Sequence, residues 1–110
     1  MANPVRKIHV YKDSDGEFRV YPPVMLVSGK SSALDDVVVV NHTDEDAIWL
    51  VPAGPFHATN ASVEPAPKGH GKSNAKTALN TDVSTSYVVY MLQSGKKAKG
   101  NSDPVIIVET

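Results

Sequence analysis

Four histidines are the residues of this sequence whose chemistry best suits a metal ion: His9, His42, His57 and His70. Three imidazoles can hold zinc or copper(II). No pair of them, however, has a compact ligand spacing such as H-x-H or H-x₃-H. Because they fall on a predicted strand, in a loop and in a long connection, we expect them to lie at different ends or edges of the molecule. The sequence therefore predicts ordinary solvated or hydrogen-bonded histidines and no metal ligand.

The most densely charged stretch begins at His42 and continues through Asp44, Glu45 and Asp46. Short acidic side chains commonly bond to their own backbone in turns, so this stretch predicts a polar loop. A calcium loop of the EF-hand type would need carboxylates at alternate positions over twelve residues, and that pattern is absent. The alternative is a metal-handling protein with a nonstandard site that combines His42 with Asp44 or Asp46.

No catalytic constellation stands out. The chain has no cysteine, which excludes disulfides, thiolate ligands and cysteine nucleophiles. No serine lies in a nucleophile elbow, and no pair of carboxylates is spaced for acid–base work. Residues 68–73 contain Gly-Lys-Ser, but Ala66 occupies the position where a phosphate-binding loop needs its first glycine. We therefore predict a protein that is not an enzyme, with no catalytic residue and no bound cofactor.

Composition favours a small all-β domain. The chain has 110 residues, enough for one ordinary domain, and a formal net charge of −1. That charge gives no overall attraction to nucleic acid or to an anionic membrane, and no apolar run approaches the ~20 residues of a membrane helix. Sixteen valines and four isoleucines stand against five leucines. β-Branched side chains pack well on a pleated sheet and lose rotamer freedom in a helix.

Short apolar segments separated by turn signals predict seven or eight strands in a β-sandwich. Ile8 and Val10 alternate with polar residues, so we expect them to face inward on a first strand that forms a hairpin with residues 18–21. Residues 37–40 are all valine and predict a central strand covered on both faces. We expect residues 33–36 to form at most one helical turn and residues 52–71 to form a long, mostly irregular connection. Further strands are expected at residues 24–27, 47–51, 73–79, 86–92 and 105–108.

The order of these segments resembles that of the cupredoxins over most of the chain, from residue 5 to residue 109. Five segments carry the resemblance: Phe18–Val27 with its Tyr-Pro-Pro-Val, Val37–Asn41, Gly71-Lys72-Ser73, Tyr87-Val88-Val89-Tyr90, and Gly100-Asn101 followed by Val105–Val108. The resemblance implies a Greek-key β-sandwich, with residues 1–110 as a single domain.

The copper ligands of that family have no counterpart here. The position of the first copper histidine, counted from Asn41, falls on Ala47, and the position of the copper cysteine holds Met91. The loop before the last strand, residues 92–104, contains neither histidine nor methionine. A type 1 copper site depends on its thiolate. The resemblance therefore implies a cupredoxin-like fold without a blue-copper centre and argues against electron transfer.

Lys96, Lys97 and Lys99 lie in the glycine-rich loop 94–103, which in a cupredoxin-like sandwich shares one end with the loop 42–46. The simplest interpretation is a set of exposed ion pairs, each worth less than ~1 kcal/mol. The functional interpretation is a patch of both charges that recognises a protein partner, through His42, Asp44, Glu45, Asp46 and these three lysines. Our leading prediction is therefore a non-enzymatic binding or interaction module. We predict no nucleic-acid partner and leave the oligomeric state open.

The first residues, Met-Ala-Asn-Pro, have no apolar stretch of the signal-peptide type. The chain as given is expected in the cytoplasm, with export open if its start replaced a leader.

Overall fold

Twelve strands and no helix make up the part of the chain that the structure describes, residues 3–56, 62–98 and 103–110 of a computed structural model. This confirms the all-β prediction. In chain order the strands are β1 (Val5–Lys12), β2 (Phe18–Tyr21), β3 (Val24–Lys30), β4 (Ala33–Leu34), β5 (Asp36–Asn41), β6 (Ala47–Val51), β7 (Ser62–Ala66), β8 (Gly71–Lys72), β9 (Lys76–Thr77), β10 (Val83–Ser86), β11 (Val88–Met91) and β12 (Val105–Glu109).

The first sheet places β1 between the antiparallel β2 and the parallel β5. Ile8 and Val10 are fully buried, as their alternation predicted, so His9 points to the opposite face and is only half-buried. The four valines of β5 are all buried, which confirms the expectation of a central strand covered on both faces. The short strands β8 and β9 pair with the free side of β5 and complete this sheet.

The second sheet has the strand order β10-β12-β3-β4, and the third has the order β11-β6-β7. One cluster of buried side chains takes members from all three sheets, with Trp49, Tyr87 and Phe56 among the largest. The Trp49 and Phe56 rings meet edge to face, with centroids 5.7 Å apart. The described strands therefore enclose a common core in a sandwich-like arrangement.

The number of strands exceeds the seven or eight predicted, because β4, β7, β8 and β10 were not expected. Two of them, β4 and β8, have only two residues each, so no hydrophobic period can reveal them. Residues 33–34 form β4 rather than part of a helical turn, since they pair with the end of β3. The strand expected at 86–92 corresponds to β11, while Ser86 ends the separate strand β10 on the other side of the buried Tyr87. Of the strand expected at 73–79, the two residues of β9 pair with β5, and Ala78 forms an isolated bridge with Phe56.

The prediction of a mostly irregular connection over residues 52–71 is wrong for residues 62–66, which form β7 against β6. Pro65 lies in this strand and cannot donate a ladder hydrogen bond, but β7 is at the edge of its sheet, where proline is tolerated. Glu64 is buried on the same strand, where Lys76 Nζ lies 2.7 Å from its Oε1. Proline and a buried carboxylate interrupt the apolar alternation that would have indicated a strand.

None of the described residues forms a helix that is long and apolar enough to cross a membrane.

Candidate functional site

A fully buried asparagine sets the shape of the loop that follows β5. The side-chain nitrogen of Asn41 donates to the backbone oxygens of Glu45, at 2.7 Å, and Ala66, at 2.9 Å. Its side-chain oxygen accepts from the backbone N–H of Thr43, at 3.0 Å, and from the Thr43 hydroxyl, at 2.7 Å. Because the Asn41 carboxamide makes four hydrogen bonds, it holds the loop in one conformation. His42 therefore projects to solvent from a fixed backbone.

The loops 42–46 and 94–98 lie at the same end of the molecule, as predicted. The backbone N–H of Ser94 donates to Glu45 Oε1 at 2.8 Å, and the N–H of Leu92 donates to the Asp46 carbonyl at 2.9 Å. Lys99, which we assigned to the same recognition surface, lies outside the described residues. The two loops are thus joined by backbone donors over the part of the surface that the structure describes.

The charges at this end are arranged differently from the expected ion pairs. Within the described ranges no ion pair joins Lys96 or Lys97 to residues 44–46. Both lysines line a shallow depression together with Glu17 and Asp103. Lys97 Nζ also lies 5.9 Å from the centre of the Tyr90 ring, within cation–π range. Asp46 Oδ1 instead accepts a hydrogen bond from the backbone N–H of Lys68 at 3.0 Å.

Three of the four histidines form a row, and the expectation that they scatter is wrong for these three. His9 Nδ1 lies 2.9 Å from His42 Nε2, and His42 Nδ1 lies 2.7 Å from His70 Nδ1. The ring centroids of His9 and His42 are 5.1 Å apart with nearly parallel planes, and those of His42 and His70 are 4.9 Å apart. His57 lies outside the described residues. We call His9, His42 and His70 the histidine row.

The sequence did not predict the histidine row because its three residues are far apart in the chain. The parallel pairing of β1 with β5 places His9 beside Val40, and the backbone N–H of His42 donates to the Val10 carbonyl at 2.8 Å. The backbone N–H of His70 donates to the Asn41 carbonyl at 2.7 Å. The alternation of β1 indicated that His9 faces outward, but nothing in the sequence indicated which strand lies beside it.

His70 occupies a backbone conformation that its residue type rarely adopts. Its φ is +73°, in the left-handed region, directly after Gly69 at +74°. A side chain with a Cβ is strained there, although histidine is tolerated better than most. This turn connects β7 with β8 and brings the exposed His70 ring against His42. Strain of this kind often marks a functional site.

The middle ring of the row favours the neutral form. Desolvation lowers the pKa of His42, and the electrostatic interactions with the His9 and His70 rings lower it further. A neutral imidazole carries one donor and one acceptor, so His42 can donate to one neighbour and accept from the other. Neutral imidazole is also the form that binds metals.

In this conformation the three imidazole rings do not surround a point at which a metal ion could bind. In the described part of the chain, no group of three or more His, Cys, Asp or Glu side chains is disposed to hold an ion as it stands. Both ring nitrogens of His42 meet other histidines, so neither meets Asp44 or Asp46 in the arrangement that the sequence favoured. The row is thus a chain of hydrogen-bonded imidazoles in which the central ring faces its two neighbours with different nitrogens.

In comparisons with protein-family models and with curated proteins, the chain has no match.

Proposed function

We propose that this protein is a non-enzymatic binding module on a cupredoxin-like Greek-key sandwich without a blue-copper site, formed by residues 1–110 as one domain. It recognises a protein partner through the surface that combines the loops 42–46 and 94–103. The observation that carries this proposal is the hydrogen bond from Ser94 N–H to Glu45 Oε1, because it joins the two loops into one surface.

The interior beneath these loops supports the part of the proposal that concerns copper. Ala47 and Met91 occupy the positions at which the cupredoxin resemblance expects two copper ligands. They are register partners on β6 and β11, and both are buried. Ala98, in the second loop, is buried as well. Apolar side chains therefore occupy the space in which a thiolate and an imidazole would meet a metal, and this fits a scaffold whose end loops serve recognition.

The surface itself is suited to a partner that carries both charges. Asp44 and Asp46 are exposed on one loop, and Lys96 and Lys97 are exposed on the other. Exposed charges of this kind steer association and set specificity more than they add affinity. The backbone bonds that hold both loops also lower the conformational entropy lost when a partner binds.

A photocrosslinking amino acid placed at position 96 tests the proposal, with the same probe at Lys30, an exposed lysine of β3, as the matched control. In an extract of the source cells, the probe at 96 should capture a protein that the probe at 30 does not. The variant K96A/K97A/K99A should then bind that protein at least about tenfold more weakly. Equal capture at both positions, or unchanged affinity of the triple variant, would reject this surface.

A metal-handling protein is the second candidate function, and the histidine row is the observation that favours it. The site would differ from the expected pairing of His42 with Asp44 or Asp46, because the nearest groups to the His42 ring nitrogens are two further imidazoles.

A further inference from the structure

The geometry points to a latent binding site for a divalent transition metal of the copper–zinc type at His9, His42 and His70. The inference deepens the second candidate function and does not depend on the partner surface. Three imidazoles from three separate segments meet with ring nitrogens 2.9 and 2.7 Å apart. Backbone hydrogen bonds hold the three segments side by side, from His42 N–H to the Val10 carbonyl and from His70 N–H to the Asn41 carbonyl, so the rings meet because the fold brings them together.

Exposure distinguishes the row from a structural cluster. His42 and His70 are exposed and His9 is half-buried, so none of the three fills the core. Hydrogen bonds between exposed groups add little to stability, because water competes for the same donors and acceptors. The left-handed backbone of His70 adds strain, which glycine or asparagine would avoid at that position. A strained, exposed histidine held against the central ring of the row indicates a chemical role more readily than a structural one.

A small movement converts the row into a ligand set. Zinc–nitrogen bonds of about 2.0–2.1 Å at the tetrahedral angle place two ligand nitrogens about 3.3 Å apart. The His9–His42 separation of 2.9 Å therefore has to widen by a few tenths of an ångström, and the two nearly parallel rings have to tilt so that both nitrogens point at the ion, once the metal displaces the shared proton. His42 presents different nitrogens to its two neighbours, so the third ring has to turn toward the ion. The exposed ring of His70 is free of core packing and can make that turn.

The donor set selects the class of metal. Imidazole nitrogen suits copper(II), zinc and nickel, whereas magnesium and calcium require oxygen ligands. The chain supplies no thiolate, and both ring nitrogens of His42 meet nitrogen rather than carboxylate groups. The order of affinity for such a site places copper(II) above zinc. We therefore expect copper(II) to bind most tightly, zinc to bind more weakly, and magnesium not to compete.

Isothermal titration calorimetry with CuCl₂, ZnCl₂ and MgCl₂ tests the site on the full chain. The wild type should bind one equivalent of copper(II) or zinc and no magnesium. His42→Ala should lower the affinity at least about tenfold, since even the loss of a group that only orients a ligand costs about 10–100-fold. His57→Ala, the matched change at the one histidine that does not belong to the row, should bind with wild-type affinity.

A second pair of variants keeps the inference testable and separate from partner recognition. If His42→Ala does not fold, His70→Asn removes an imidazole at a position where asparagine tolerates the backbone. The variant K96A/K97A should bind metal like the wild type, because neither lysine belongs to the row. Absence of copper and zinc binding in the wild type would overturn the inference, as would wild-type affinity in a folded row variant. Neither result would bear on the proposed protein-binding surface.

Discussion

Replacing His70 by glycine separates the role of this residue in folding from its role in the row. The left-handed backbone, with φ of +73°, costs a residue with a Cβ roughly 1–2 kcal/mol. Glycine removes that strain but gives the unfolded chain more freedom, which lowers stability by about 0.4–1 kcal/mol. The lost hydrogen bond to the exposed His42 ring costs a further ~0.5 kcal/mol. The three terms nearly cancel, so the free energy of unfolding should change by less than about 0.5 kcal/mol.

Urea denaturation followed by the fluorescence of the single, fully buried Trp49 measures this change. His70→Asn is the matched control, because asparagine tolerates the left-handed region without the added freedom of glycine, and it should be at least as stable as His70→Gly. In excess zinc at about 100 times the dissociation constant, the wild type should gain about 2.7 kcal/mol, and both variants should gain clearly less. A loss above about 1.5 kcal/mol in the metal-free His70→Gly protein would refute the reasoning, because His70 would then stabilise the fold.

Three further predictions follow from buried and charged groups. The Tyr87 hydroxyl is buried without a hydrogen-bond partner among the described residues, and burial raises its pKa well above the ordinary value; Tyr87→Phe should therefore leave the free energy of unfolding unchanged or raise it by about 1 kcal/mol, whereas a clear loss in urea denaturation would reveal a partner. Asn41→Ala removes four hydrogen bonds from a fully buried site and should cost about 2–4 kcal/mol in the same assay, so a loss below about 1 kcal/mol would contradict its assigned role. The backbone N–H of Glu17 and, after it, the Arg19 side chain lower the pKa of Asp13 in the folded protein. The ionised Asp13 side chain therefore stabilises the fold above its unfolded-state pKa of about 3.9, and this stabilisation is lost as the pH falls through its folded-state pKa. In Asp13→Asn the free energy of unfolding should consequently fall less steeply at acidic pH than in the wild type. An unchanged pH dependence would count against a stabilising contribution from Asp13.

The strands with a clear hydrophobic pattern could be predicted from the sequence. Ile8 and Val10 alternate with polar neighbours, and the valines of residues 37–40 admit no polar face, so both strands follow from local sequence. The strand at 62–66 was missed because Pro65 and the buried Glu64 interrupt its pattern. The structure explains both residues, the first by its edge position and the second by its ion pair with Lys76.

The candidate site could be predicted only in part. The resemblance to the cupredoxins implied that the two loops lie close together, but nothing in the sequence implied the histidine row. Periodicity shows which face of β1 carries His9, yet the parallel pairing that brings it to His42 joins segments more than twenty residues apart. Taken locally, the Gly-His-Gly sequence around His70 predicts only an irregular connection or an incomplete phosphate-binding motif. Its position follows from the backbone bond to Asn41, which no local pattern reveals.

Pulsed electron paramagnetic resonance with one equivalent of copper(II) tests most directly whether the histidine row binds a metal through its imidazoles. Nitrogen modulations from the remote nitrogens of bound imidazoles should show at least two histidine ligands in the wild type and in K96A/K97A. The number should fall in His42→Ala. A wild-type spectrum without imidazole nitrogen, or a His42→Ala spectrum identical to that of the wild type, would contradict the account.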